Sequence, residues 1–413
     1  MTTVNLADIR AAHDRIRSGI SRTPCPPSVP LSEATGVRVW CKLDLLQRTG
    51  SFKERGARNA LLLLDPGARS RGVVAASAGN HALGLAYHGR LLGIPVTVVM
   101  PRFAPLVKVA TCRRLGARVI LEGDSFADAR RLAAEIAARD GLDRIHGFDD
   151  PRVIAGQGTM ALEILEDVPD AEVIVVPTGG AGLLAGVAVA AKALAPHIEI
   201  IAVESAAAPS FGAAVAAGRP VDVAARPTLA DGLAVGRVGD LSFALAAPLV
   251  DRVVAVDEDA LALAVLRLLE LEKAVVEGAA AAALAGLMAR ECADLAGRRV
   301  VILLCGGNID LAILDRVIDH GLVADGRRWR FTTVISDRPG GMATLTGAIA
   351  AAGANVREIV HDRGFSGADV FSTRVQVTVE TADRDHVAAL AAGLRDKGFA
   401  MLTCDAAAGR IGG

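Results

Sequence analysis

The sequence predicts an α/β protein with parallel sheets, followed by a smaller module of βαββαβ order. Three observations carry this reading. Between residue 71 and about residue 321, short β-branched runs alternate with helical patterns. Glycine-containing turns follow several of these runs and open the next helix, which is where ligands of parallel sheets bind. After a stretch dense in glycine and charge, residues 321–329, the periodicity changes.

Residues 72–76, 96–100, 118–121, 173–176, 198–203, 253–256 and 300–304 are apolar and β-branched, as strands covered on both faces are. Residues 106–115, 126–139, 183–195 and 261–271 carry apolar side chains at three-to-four spacing and read as helices. Beyond the expected linker, residues 331–335, 356–361, 370–379 and 399–403 read as strands and 341–352 and 384–394 as helices, the ferredoxin-like order.

Composition narrows the function. A chain of 413 residues, 52% apolar and 22% charged, supports two or three domains with a substantial core. A net charge of −1 supplies no field for nucleic acid and no polybasic run for a membrane surface, which leaves a small molecule as the expected partner. The six cysteines are dispersed without CxxC spacing, so neither a disulfide framework nor a zinc knuckle is indicated, and a reducing cytoplasm is the expected compartment. The first residues show no secretory signal. Residues 173–191 are free of charge, but Pro177, Thr178, Gly179 and Gly180 break them into strand, turn and helix rather than a membrane span.

Lys53 stands out because the chain writes nearly all its positive charge as arginine; the lysines are Lys42, Lys53, Lys108, Lys192, Lys273 and Lys397. A guanidinium stays protonated and forms no imine, whereas an amine does, so Lys53 between Phe52 and Glu54 invites a Schiff-base reading beside the plain one of a surface lysine at a helix start. The run Ser77-Ala78-Gly79-Asn80-His81 follows a strand and opens a helix, which suits an anion such as a carboxylate. The run Pro177 to Leu183 makes a glycine-lined cradle for phosphate at another helix start.

Together with Leu304-Cys305-Gly306-Gly307-Asn308, and with Phe148-Asp149-Asp150-Pro151, Ala155-Gly156-Gln157-Gly158-Thr159, Ala230-Asp231-Gly232 and Val276-Glu277-Gly278-Ala279 in order between them, these runs resemble the fold-type II pyridoxal-phosphate enzymes, most closely the threonine dehydratases. The resemblance implies a tryptophan synthase β-like domain over residues 1–321, with a smaller subdomain at about 52–148, a linker at 322–329, and a C-terminal module at 330–413. It implies pyridoxal 5'-phosphate as cofactor and dehydration with deamination of L-threonine to 2-oxobutanoate and ammonia. L-Serine and 3-hydroxyaspartate are alternative substrates of the same elimination, and a pocket that differs by one methyl separates them by only ~1–3 kcal/mol.

Carried over residue by residue, Lys53 would link to the cofactor aldehyde and then remove the substrate Cα proton. Phe52 would pack against the ring, Asn80 would bond the ring hydroxyl, and Cys305 would face the ring nitrogen. Gly179, Gly180, Ala181, Gly182 and Leu183 would enclose the phosphate; Ser77, Ala78, Gly79, Asn80 and His81 would hold the substrate carboxylate. Read without the resemblance, Phe52 is also a core residue, Asn80 a helix cap and Cys305 a buried thiol. Ala181 departs from the family's four glycines, and its β-carbon favours φ below zero. Ala78 stands where serine racemases have a second serine, which favours elimination over racemisation. Glu204 matches a metal ligand of some relatives, but the later carboxylate is Ser210 here, so no metal is assigned. Glu277 falls near the active site with its role open.

Asp337-Arg338-Pro339-Gly340 and Gly353-Ala354-Asn355-Val356 make the C-terminal module resemble an ACT domain. The resemblance implies an amino-acid effector held between paired modules by Asp337, Gly340, Gly341 and Asn355, in a homodimer or homotetramer; the alternative is a module used only for dimer contacts. Two other classes remain open. Gly180, Gly182 and Gly186 with Glu204 imitate a dinucleotide fingerprint, giving a nicotinamide oxidoreductase, and the C-terminal module by itself would suit a non-catalytic amino-acid sensor.

Overall fold

The computed structural model describes residues 3–362 and 371–404. The strand expected at 370–379 thus has its first residue outside the described part, as are the first two residues of the amino-terminal stretch read for a signal. The chain divides into two compact units, Met1–Asp310 and Leu311–Gly413.

The first unit holds two sheets. The larger has six strands in the order Pro27–Ser28, Arg38–Lys42, Arg299–Leu303, Val173–Pro177, Glu199–Ser205, Arg252–Val256, parallel throughout except for the first pair. The smaller has four parallel strands, Arg118–Leu121, Val96–Met100, Val73–Ala76 and Asp143–Arg144. Buried strands such as Val173–Pro177 are apolar along their length because helices cover both faces. The Ala-rich helix Gly278–Leu287 is buried at all ten positions, the expected fate of a helix with no polar face.

One central strand escaped the sequence reading. Arg38–Lys42 ends in charge, yet Lys42 is fully buried, because its amine pairs with Glu163 at 2.6 Å and donates to the Thr23 carbonyl at 2.6 Å. That pair belongs to a larger buried cluster. The Arg55 guanidinium reaches Asp44 through two nitrogens at 2.7 and 2.8 Å, and Glu163 at 2.7 and 2.8 Å. It thereby fastens the helix Lys53–Leu62 to the helix Pro151–Asp167. Their crossing is close: a β-carbon on Gly156 would lie 2.6 Å from the Gly56 Cα.

The second unit is a four-stranded antiparallel sheet in the order Asn355–Asp362, Ser372–Glu380, Arg328–Ser336, Met401–Cys404. The helices Gly341–Ala351 and Arg384–Asp396 bury Leu345, Ile349, Leu390 and Leu394 against Trp329, Phe331, Val375 and Val377. This is the βαββαβ order expected from the sequence. The helix Leu311–Ala324 also clusters with this unit, so the stretch expected as a linker, 322–329, comprises the end of that helix, the turn Asp325-Gly326-Arg327 and the start of the strand Arg328–Ser336. Among the described residues no helix is long and apolar enough to cross a membrane.

Candidate active site

At the carboxyl ends of the strands in the first unit lies a cavity of about 590 Å³. Every residue assigned above to cofactor or carboxylate lines it, from Phe52 to Cys305.

Lys53 is the first residue of its helix. The turn before it is fixed to the end of the strand Arg299–Leu303: Phe52 N donates to the Cys305 carbonyl at 2.9 Å, and Ser51 bridges to Gly306. The lysine amine donates to the Gly147 carbonyl at 2.7 Å and sits 5.0 Å from the Phe52 ring centroid. Loss of hydration brings its pKa down to about 8, against the raising effects of Cys305 and Glu277. The amine is therefore neutral in a sizeable fraction near physiological pH, as a nucleophile or base must be.

Two helix starts face the same space. In the turn after Val173–Pro177, a β-carbon on Gly180 would lie 2.3 Å from the Phe148 ring, and one on Gly182 would lie 2.5 Å from the Phe148 carbonyl oxygen. The cradle is thus closed by Phe148, and the N–H groups of Gly182, Leu183 and Leu184, first in the helix Gly182–Leu194, have no intrahelical acceptor. Ala181 is a correction to the sequence reading: its φ is +67°, in the left-handed region that its β-carbon disfavours. The loop geometry of a glycine is kept at the cost of local strain.

The second start, the helix Asn80–Leu92, is capped by Gly79, so the Asn80 side chain is not its cap. Instead its amide donates to Glu277 at 2.8 Å and accepts from Asn308 at 2.8 Å, and Asn308 also donates to the Thr49 carbonyl at 2.6 Å. Burial lifts the Glu277 carboxyl to about 7, against the lowering effect of Asn80. Ser77 Oγ accepts from the N–H groups of Gly79 and Ala82, each at 3.3 Å, which leaves its own proton to donate outward. A β-carbon on Gly79 would meet nothing within 4 Å, so that backbone faces open cavity. His81 is buried, and burial with the nearby Lys53 holds its pKa near 3; the neutral ring donates from Nε2 to the Ile145 carbonyl at 3.2 Å. Cys305 is 4% exposed, and burial pushes its thiol far above the usual range, so it faces the cavity uncharged.

Three contributors were not assigned a role from sequence: the Gly147 carbonyl, the Phe148 ring and Asn308. Phe148 and Asn308 lie in runs that were recognised; Gly147 acts through its backbone, for which a sequence carries no signal. Glu204 accepts from the N–H groups of Phe211 and Gly212 at 2.9 and 3.0 Å, capping the helix Ser210–Ala217. No group of three or more metal-ligating side chains occurs among the described residues.

In the second unit the expected effector residues are not brought together. Asp337, Gly340 and Gly341 lie at the Ser336 end of the sheet, whereas Asn355 pairs in register with Glu380, which in turn faces Arg328 at the other end. Asn355 spends its amide on Glu380 at 3.0 Å.

The model of the family described as pyridoxal-phosphate dependent enzyme matches residues 16–306. The chain is 45% identical to an L-threonine ammonia-lyase of Thermotoga maritima over 96% of this chain and 98% of that protein. It is 41% identical to the catabolic L-threonine dehydratase of Escherichia coli K12 over 76% of this chain and 96% of that one. Among solved structures, a threonine deaminase of Solanum lycopersicum superposes with a TM-score of 0.72 at 36% identity, covering 76% of this chain and 92% of that one. A serine racemase of Dictyostelium discoideum superposes with a TM-score of 0.71 at 36% identity, over 75% of this chain and all of that one.

Proposed function

Since the chain belongs to the pyridoxal-phosphate dependent enzymes, we propose that it is a threonine ammonia-lyase, eliminating water and ammonia from L-threonine to leave 2-oxobutanoate, with L-serine as a second substrate giving pyruvate. The single observation that carries the chemistry is the half-buried Lys53 amine, held by the Gly147 carbonyl in the cavity that the glycine cradle and the Ser77 turn also line.

The residues fit the cofactor. The cradle at Gly179 to Leu183 offers N–H donors and a helix start to a phosphate, with Phe148 leaving room for no side chain at Gly180. When bound, pyridoxal phosphate supplies an aldehyde for the lysine and an electron sink for the charge that develops at the substrate Cα. Lys53 would be the base that takes the substrate Cα proton, and its lowered pKa suits that task. The Ser77 hydroxyl and the N–H groups of Asn80 and His81 orient the substrate carboxylate. Asn80 is held at a fixed angle by Glu277 and Asn308, and can present its amide toward a ring hydroxyl without a rotamer search. Cys305, uncharged in the cavity, would stand on the side of the ring nitrogen and offer it no counter-charge, which would favour loss of the β-hydroxyl over longer-lived carbanion chemistry.

Ala78 bears no hydroxyl to protonate the opposite face, and this supports elimination over racemisation. Residues 330–413 are taken as the ACT module, preceded in the same compact unit by the helix Leu311–Ala324, and the residues up to Asp310 as the catalytic domain. Because Asp337 and Asn355 sit at opposite ends of one sheet, an effector site that uses both draws them from two copies, as a homodimer or homotetramer allows. The reading is tested by incubating the cofactor-loaded chain with L-threonine and with L-serine: 2-oxobutanoate and pyruvate are the expected products. Conversion of L-serine to D-serine without release of oxo acid would replace lyase by racemase.

A further inference from the structure

The helices Gly341–Ala351 and Arg384–Asp396 cover one face of the second unit's sheet, and the opposite face carries charge. There a cleft of about 600 Å³ lies between the helix Leu311–Ala324, through Arg316 and Asp319, and the sheet, through Arg328, Arg330, Arg357 and Glu358. Four arginines against two carboxylates give these six residues a net charge of +2.

The arginines are not consumed by those carboxylates. Arg328 is only 9% exposed; it pairs with Asp319 through Nη1, but its Nε is buried without a hydrogen-bond partner. A buried N–H left without an acceptor costs stability, and the rest of the Arg328 side chain lines the cleft. Arg330 donates from Nε to Thr378 at 3.0 Å, while its approach to Glu358 is 3.7 Å. Arg357 reaches Glu380 at 3.6 Å. Both ion pairs are beyond hydrogen-bonding reach, which leaves the planar Nη forks of two half-exposed arginines able to take an oxyanion in bidentate fashion.

We propose that this cleft binds a small polyanion, a molecule bearing two or more phosphate or carboxylate groups, at a site separate from both the catalytic cavity and the Asp337 turn. Arg328 would anchor one anionic group at the floor and Arg330 and Arg357 a second at the rim. Arg316 would close it from the helix, so that the occupant ties the helix Leu311–Ala324 to the sheet.

The test is calorimetric titration of the full chain, loaded with pyridoxal phosphate so that the catalytic cradle is filled, using inorganic pyrophosphate in one arm and citrate in the other. Saturable binding of either probe at one site per chain is expected, weakening as salt rises. The double variant Arg330→Ala/Arg357→Ala, with an unchanged melting temperature, should weaken it by at least ~10-fold, as loss of charge-assisted hydrogen bonds implies. Should the double variant not fold, Arg316→Ala, on the exposed side of the helix, gives the same reading. Preference for pyrophosphate assigns the ligand to phosphate compounds, preference for citrate to carboxylates. No saturable binding of either probe, or binding that the variants leave unchanged, overturns the proposal.

Discussion

The Lys53 amine, with its pKa brought down to about 8 by burial, makes pH a probe of single-residue chemistry. Only the neutral amine attacks an aldehyde, and its fraction grows as pH rises through that value. The rate at which the cofactor-free chain captures pyridoxal phosphate should therefore climb with a midpoint near 8, followed by stopped-flow absorbance; a midpoint above 10, that of an ordinary lysine, would contradict the burial argument. Ala181 gives a second test at this scale. An alanine tolerates φ of +67° at a cost of ~1–2 kcal/mol, but a β-branched residue does not. Ala181→Gly should leave cofactor affinity intact, whereas Ala181→Val should weaken it by ~10-fold or more in equilibrium titration.

Among the elements, the helix that begins at Lys53 is seated by charge as well as by packing. Arg55 and Lys42 together neutralise Asp44 and Glu163 where water does not reach. Arg55→Ala leaves both carboxylates short of a partner and should cost about 3–5 kcal/mol in urea unfolding, the usual penalty for breaking a buried ion pair. A change within 1 kcal/mol would show that the cluster is not what holds the helix. The sequence hid this arrangement for a physical reason. Apolar strands such as Val173–Pro177 announce themselves because burial on both faces selects β-branched residues throughout. The strand Arg38–Lys42 and its buried ion cluster do not, since the pairing that makes Lys42 acceptable inside comes from Glu163, far along the chain. The site was legible in the same unequal way. Glycine turns and Lys53 are written in residue type, but the Gly147 carbonyl is anonymous backbone, and the left-handed Ala181 ran against the preference of its own side chain.

For the whole molecule, the division after Asp310 makes a prediction of its own. The Escherichia coli relative matches 76% of this chain over 96% of its own length, so about a quarter of this chain has no counterpart in it, while the family model matches residues 16–306. A chain ended at Asp310 keeps Cys305 and Asn308, and the second unit has a core of its own around Trp329 and Phe331. The truncated chain should still release 2-oxobutanoate from L-threonine while losing any response to added amino acids. Loss of all activity in a folded truncated chain would mean that the C-terminal unit takes part in catalysis. Catalysis depends above all on the covalent role of one amine, and borohydride reduction of the cofactor-loaded chain followed by peptide mass spectrometry tests it directly. The pyridoxyl group should be found on Lys53, and Lys53→Ala should carry none and form no oxo acid; a label on another lysine, or full activity in the variant, would contradict the account.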